Sequence, residues 1–201
     1  EGLSRVAREL GDGDIRLTVW QNLILSGVRD ENVAAAEAAI EALGLSTTAT
    51  PLRAGLVSCT GNTGCKFAAS DTKGTAEAIA EHVEARLSLD SPVNIHLTGC
   101  HHSCAQHYIG DIGLLAVKIN RDDDGEPAEG FSIYVGGGSG PDARIGRELW
   151  PNVESGRCPR AIEKLLATYL ENRAGPGETF LDFTARHEIE SLKLLCGETA
   201  P

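Results

Sequence analysis

The chain has 201 residues, 41% of them hydrophobic and 23% charged, and a net charge of −11. This charge argues against nucleic-acid binding, which needs clustered Lys and Arg, and no apolar run approaches the roughly 18 residues that span a membrane. The length supports a hydrophobic core without a disulfide scaffold, so we expect a cytoplasmic globular protein. Because the first residue is Glu1 rather than Met, we expect a processed product or a piece of a longer chain.

The first fifty residues predict one strand and one helix. Residues 16–25, RLTVWQNLIL, are rich in β-branched and aromatic side chains, which is typical of a strand. The alanine-rich segment that follows has apolar residues at helical spacing, with Asp30 as the predicted N-cap and Gly44 just beyond the helix end. The run STTATP comes next, and we place the end of a first domain, residues 1–48, within it.

The middle of the chain predicts strands at residues 54–57, 93–97, 112–120 and 131–135. A helix at 71–87 separates the first two strands, with apolar residues on one face. The acidic turn 121–126 separates the last two, and we assign it no chemistry. This alternation predicts an α+β fold in which helices cover a mixed sheet.

After the last of these strands the sequence predicts helices only. Pro159 suits the first turn of a helix, and the Gly-Pro-Gly turn at 175–177 ends it. Thr179 resembles the first residue of a capping box that starts another helix. We therefore divide the remainder into a domain at residues 49–174 and a C-terminal helical extension at 175–201.

Four of the six cysteines form two pairs, each following a predicted strand: Cys59 with Cys65, and Cys100 with Cys104. Loops from the carboxyl ends of strands gather in one crevice, so the two pairs can converge. Structural zinc sites favour closer spacing than that of the first pair, and a disulfide is disfavoured in a chain of this size without a secretion signal, although both remain alternatives. An iron–sulfur cluster on four thiolates fits better.

The histidines, the glycine run and the two remaining cysteines are not predicted to be catalytic. The histidines at 101, 102 and 107 are surplus beside four cysteines, so we expect them to line a cofactor or to pack. The glycine run 136–140 lacks the Lys-Ser or Lys-Thr of a phosphate-binding loop and suits the approach of backbone to a bulky flat ligand or a simple turn. Cys158 and Cys196 are predicted to be small core residues.

Two segments resemble the cluster loops of the sirohaem-dependent nitrite and sulfite reductases, namely SCTGNTGCKFA at 58–68 and LTGCHHSCAQHYIGDIGLL at 97–115. Residues 16–28 are similar to the strand that opens the second ferredoxin-like half-domain of that family. Residues 136–151, GGGSGPDARIGRELWP, are similar to its glycine loop beside the tetrapyrrole. The resemblance implies a ferredoxin-like half-domain followed by a [4Fe-4S]/sirohaem-binding domain, the C-terminal half of such an enzyme.

The resemblance also implies a set of cofactor contacts. A [4Fe-4S] cluster would be held by Cys59, Cys65, Cys100 and Cys104. The thiolate of Cys104 would also bind the sirohaem iron. Further cofactor contacts are implied for Arg16, Gln21, Asn62, His102, Gly137 and Gly138. The guanidinium of Arg16 could pair with a sirohaem carboxylate; an exposed Arg at the end of a strand is an equally good interpretation.

The loop CHHSC resembles the ferredoxin-linked nitrite reductases more than the sulfite reductases, although Asn is commoner at the position of His102. The resemblance therefore implies six-electron reduction of nitrite to ammonia, with ferredoxin as the electron donor. In that family the Lys and Arg side chains that bind the anion belong mainly to the first half, so we expect this chain alone to be inactive. A sulfite reductase, a precorrin-3B synthase-like oxygenase and a non-catalytic four-cysteine metal-binding module remain alternatives.

Overall fold

The computed structural model describes residues 1–120, 126–139 and 143–201. Most of the predicted acidic turn, and Gly140 of the glycine run, lie outside these residues. The chain divides into two compact units, Glu1–Thr50 and Pro51–Pro201. No helix in the described ranges has the length and apolar character needed to cross a membrane.

The first unit contains two helices and a short hairpin: α1 (Gly2–Leu10), β1 (Ile15–Leu17), β2 (Leu23–Leu25) and α2 (Val33–Glu41). The two strands pair antiparallel, with Ile15 opposite Leu25. The predicted single strand over 16–25 is therefore wrong. Gln21 has a φ of 60°, and the Thr18 hydroxyl accepts a hydrogen bond from the Asn22 amide at 3.0 Å, which closes the turn.

The predicted helix of this unit is present, but its start is displaced. Asp30 lies in a 3-10 turn, Asp30–Asn32, rather than at the helix N-cap. The N-cap of α2 is Asn32, whose side chain makes no capping hydrogen bond. Gly44 follows the helix with a φ of 76°, a left-handed conformation that glycine adopts without steric cost.

The second unit is built on a five-stranded sheet in the order β3-β4-β5-β6-β7. Its strands are β3 (Leu56–Ser58), β4 (Ile95–Thr98), β5 (Ile112–Ile119), β6 (Ala128–Val135) and β7 (Arg147–Glu154). The first three strands run parallel to one another, and β6 and β7 add antiparallel pairings. The predicted mixed sheet is therefore confirmed.

Strand β7 occupies a segment for which the sequence predicts no strand, so the prediction of helices only is wrong there. Pro151 lies inside the strand, and this is tolerated because β7 is at the edge of the sheet, where a missing N–H can face solvent. The pairing with β6 also shifts register around Ile133. Buried Leu149 and Trp150 are adjacent, so the strand lacks the alternation that would reveal it.

In the part of the second unit that the structure describes, the α-helices are α3 (Thr72–Glu84), α4 (Cys158–Asn172), α5 (Phe180–Ala185) and α6 (Ile189–Cys196). The predicted starts of α4 and α5 are confirmed. Pro159 lies in the first turn of α4, and the Thr179 side chain accepts a hydrogen bond from the Asp182 amide at 3.1 Å. Cys158 and Cys196 are buried in the core, as predicted.

Candidate functional site

The two cysteine loops leave the same edge of the sheet. Strands β3 and β4 are parallel neighbours, with Ser58 opposite Leu97, so Cys59 follows one strand just as Thr98 ends the other and Gly99 follows it. The Cys59 amide donates to the Leu97 carbonyl at 3.1 Å, which extends the pairing by one residue. The Gly99 amide donates to the Cys59 sulfur at 3.1 Å. A backbone N–H thus already faces the first thiol.

The first loop folds around Gly61 and is joined to the second loop. Gly61 has a φ of 71°, and its carbonyl accepts from the Cys65 amide at 2.9 Å. The Ala69 amide donates to the Gly99 carbonyl at 2.7 Å. A Cβ at Gly99 would lie 2.6 Å from the Cβ of Ala68, so only glycine allows this close approach.

The second loop carries two non-glycine residues in the left-handed conformation, Ser103 with a φ of 54° and Gln106 with a φ of 52°. The Ser103 amide donates to the Cys100 carbonyl at 3.1 Å. His102 is exposed, and its Nδ1 lies 3.4 Å from the Cys100 sulfur. The His102 ring also meets Phe67 edge-on at 5.3 Å between centroids. His102 therefore bridges the two cysteine loops.

All four thiols are free, three of them partly buried and that of Cys104 exposed. Among the described residues, no three Cys, His, Asp or Glu side chains lie close enough together to hold a metal ion. The donor set nevertheless fits an iron–sulfur cluster, because such clusters take four thiolates and are tuned by backbone N–H groups directed at their sulfurs. Two hydrogen-bonded loops carry those four donors here.

The glycine loop lies against the segment that follows Cys104. Gly137 is buried, and a Cβ there would lie 2.4 Å from the Gly110 carbonyl oxygen and 2.7 Å from that of Tyr108. Gly138 is also buried and exchanges backbone hydrogen bonds with Arg144 at 3.1 and 3.2 Å. Gly137 therefore permits close approach of backbone to backbone, and the contact of both glycines with a flat ligand stays a prediction.

The histidines differ in burial. His101 and His102 are exposed, whereas His107 is buried and packs edge-on against Tyr108 and Tyr134. Burial lowers the pKa of His107 below its ordinary value, and the nearby His101 and His96 lower it further. A neutral, packed ring at this position matches the packing role that the sequence suggests for it.

Asp111 is a buried carboxyl that the sequence analysis did not single out. Its side chain accepts a hydrogen bond from the Asn94 amide at 2.8 Å. Burial raises the pKa of Asp111 to about 6, against an ordinary value of 3.8, while that hydrogen bond lowers it. The signal available in the sequence was an acidic residue directly before an apolar strand.

Three further residues are predicted to contact the cofactor. Arg16 and Gln21 belong to the hairpin of the Glu1–Thr50 unit, where both are exposed. An Arg16 nitrogen lies 3.8 Å from the Asp14 carboxylate. Asn62, in the first cysteine loop, donates its side-chain amide to Glu129 on β6. Sequence reasoning missed Glu129, which follows the acidic turn and has no local motif.

Two family models match the chain. The nitrite and sulphite reductase 4Fe-4S domain matches residues 52–199, and the nitrite/sulfite reductase ferredoxin-like half domain matches residues 1–43. The chain therefore belongs to the nitrite and sulfite reductase family. The predicted order of a ferredoxin-like half-domain before a 4Fe-4S domain is confirmed.

Individual relatives agree with this assignment. The ferredoxin–nitrite reductase of Synechococcus elongatus is 41% identical over 82% of this chain and 32% of its own length. A ferredoxin sulfite reductase of Mycolicibacterium paratuberculosis is 32% identical over 94% of this chain and 35% of its own length. The structure of the Mycobacterium tuberculosis NirA protein superposes with a TM-score of 0.86 at 29% identity, over 95% of this chain and 36% of that one. The chain thus spans about a third of the relatives it matches.

Proposed function

We propose that this chain is the cofactor-binding part of a ferredoxin-dependent nitrite reductase. The observation that carries the proposal is the pairing of the two cysteine loops at one sheet edge, where the Gly99 amide donates to the Cys59 sulfur. The family's 4Fe-4S domain supports the choice of metal group, since its match covers both loops.

In this proposal Cys59, Cys65, Cys100 and Cys104 hold a [4Fe-4S] cluster. Cys104, the exposed member of the four, would also bind the sirohaem iron. When bound, the cluster and sirohaem would supply the electron store and the iron site for six-electron reduction of nitrite to ammonia. Burial and N–H donors around the thiolates set the reduction potential of such a cluster.

Sirohaem is proposed to contact His102, Gly137 and Gly138. The glycine loop packs on the segment that follows Cys104, which supports its inclusion. Asn62 is left out of this set because its side-chain amide donates to Glu129.

Nitrite is favoured over sulfite by sequence identity. The nitrite reductases of Synechococcus elongatus and Zea mays are each 41% identical, against 32% and 33% for two sulfite reductases of Mycolicibacterium paratuberculosis. Sulfite reduction is the second candidate, because those sulfite reductases align over 94% and 95% of this chain. Parallel nitrite and sulfite assays of the full-length enzyme, with reduced ferredoxin as donor, decide between them.

The cofactor assignment is tested on the purified chain after anaerobic reconstitution with iron, sulfide and sirohaem. We expect four cluster irons and one sirohaem per chain, with visible and EPR spectra of both groups, and loss of the cluster in Cys59→Ser and Cys100→Ser. Because the chain spans about a third of its relatives, we assign turnover to the whole enzyme. A colourless protein that binds stoichiometric zinc would overturn the redox assignment.

A further inference from the structure

The far end of the first cysteine loop is anchored to β6 by a buried serine. The Ser70 hydroxyl donates to the Gly130 carbonyl at 3.0 Å and accepts from the Gly130 amide at 3.2 Å. A Cβ at Gly130 would lie 2.6 Å from the Val153 carbonyl oxygen, so the backbone is closely packed on its other side as well. The Ser70 hydroxyl thus forms hydrogen bonds with both the amide and the carbonyl group of Gly130.

The adjacent residue of β6, Glu129, contacts the same loop at two places. One carboxylate oxygen accepts from the Asp71 amide at 2.9 Å. The other accepts from the side-chain amide of Asn62 and lies 3.7 Å from the ammonium of Lys118 on β5. A single carboxylate therefore joins the two ends of a loop segment that contains Cys65.

The loop is also closed on itself at this point. The Asn62 backbone amide donates to the Ser70 carbonyl at 3.1 Å, so Asn62 and Ser70 are neighbours. Cys65 lies inside the closed segment, and Cys59 lies just before it. Movement of the Asn62 end would therefore displace the backbone that carries both cysteines.

We propose that Glu129 is a positioning residue that holds the Cys59–Cys65 loop in the conformation that accepts the cluster. Hydrogen bonds to an ionised acceptor are stronger than neutral ones, and this carboxylate makes two of them to one loop. The role for Asn62 is correspondingly that of an anchor for the loop. This inference rests on the proposed function, because it takes cluster binding to be the purpose of the ordered loop.

The test uses Asn62→Asp, which places a second carboxylate against Glu129 at an exposed position and leaves the core untouched. The double variant Asn62→Asp/Glu129→Gln restores both hydrogen bonds to the loop. The amide introduced at position 129 can donate its N–H to the carboxylate at position 62, and its carbonyl oxygen can accept from the Asp71 amide. Glu148→Gln on β7 is the matched control, since that exposed carboxylate accepts from Tyr134 and does not contact the loop.

Two measurements are made on each protein. Hydrogen exchange of the amides at 60–70 in the metal-free chain reports loop order directly, and chelator-driven iron release reports cluster retention. We expect both rates to rise about tenfold in Asn62→Asp and to return to within about twofold of wild type in the double variant. The control should match wild type.

Equal exchange and iron release in Asn62→Asp and wild type would overturn the positioning role. So would a double variant no better than the single one. Failure of wild-type chain to take up any cluster would instead count against the proposed function, and the exchange measurement on metal-free protein would still decide whether Glu129 orders the loop.

Discussion

The amide of Gly99 donates a hydrogen bond to the sulfur of Cys59 across 3.1 Å, which links the start of one cysteine loop to the start of the other. This contact depends on the absence of a side chain at Gly99. A Cβ there would lie 2.6 Å from Ala68 Cβ and 3.3 Å from the Cys59 sulfur. Even the smallest substitution, Gly99→Ala, should therefore disturb the contact between the two loops.

We expect Gly99→Ala to lower the free energy of unfolding of the metal-free chain by about 1–3 kcal/mol, because the added methyl forces the two loops apart. Cluster uptake during reconstitution should fall in parallel, since the amide no longer faces the Cys59 sulfur. Urea denaturation and iron analysis check the two effects. Gly175→Ala is the control, because nothing lies within 4 Å of a Cβ at that position. A variant as stable and iron-loaded as wild type contradicts the prediction.

The six cysteines should separate into two groups on alkylation. In the metal-free chain, iodoacetamide should modify the exposed Cys104 first and then the three partly buried cysteines of the two loops. Burial raises the pKa of the Cys158 thiol to about 12 and also raises that of Cys196, so neither forms much thiolate at pH 8.

Mass spectrometry of alkylated peptides provides the measurement, before and after reconstitution with iron and sulfide. We expect the loop cysteines, and no others, to become protected once the cluster is present. Continued modification of Cys104 in iron-loaded chain would argue that it is not a cluster ligand. Rapid modification of Cys158 under native conditions would show that the reagent reaches the core, and it would contradict the prediction.

Asp111 should make stability depend on pH in the mildly acidic range. Its pKa is about 6 in the folded chain against 3.8 for the ordinary carboxyl, so the folded state binds the proton more tightly. The contribution of this group to stability is therefore full below pH 3.8 and is lost as the pH rises through 6. A shift of this size corresponds to about 3 kcal/mol.

The measurement compares wild type with Asp111→Asn, whose amide oxygen can still accept from the Asn94 amide. We expect the variant to gain stability relative to wild type as the pH is raised from 4 to 7 in urea denaturation. Taking the difference between the two proteins removes the contribution of the other carboxylates. A difference that does not change over this range would show that Asp111 titrates normally.

Much of the fold could be predicted because its signals are local. The α4 helix combines Pro159 in the first turn with buried Ile162 and Leu165 at helical spacing. Thr179 caps α5 through a residue three positions away. The cysteine pairs likewise stand directly after their strands, so the convergence of their loops follows from the parallel pairing of β3 and β4.

The features that escaped prediction depend on distant or irregular contacts. Glu129 contacts Asn62 across 67 positions of sequence, and no local pattern marks either residue as a pair. Strand β7 contains Pro151 and adjacent buried residues, which hide its period. The hairpin turn at Gln21 interrupts a run of strand-forming residues because the Thr18 hydroxyl and carbonyl engage the turn amides.

Thr72, the first residue of α3, is fully buried. Its hydroxyl donates to the Cys59 carbonyl at 2.7 Å and lies 3.7 Å from the Cys59 sulfur. Thr72→Val keeps the shape of the side chain and removes the donor, so the Cys59 carbonyl loses that hydrogen bond. We expect a loss of about 1 kcal/mol in the free energy of unfolding and faster release of iron to a chelator.

Thr72→Ser separates the hydroxyl from the methyl group, and it should retain iron like wild type if the hydrogen bond is what matters. Thr168→Val is the matched control, because that buried hydroxyl donates to the Lys164 carbonyl within α4 and touches neither cysteine loop. The control should lose comparable stability but keep the wild-type rate of iron release. Iron release that follows stability in all three variants would show that Thr72 supports the fold in general rather than the Cys59 loop in particular.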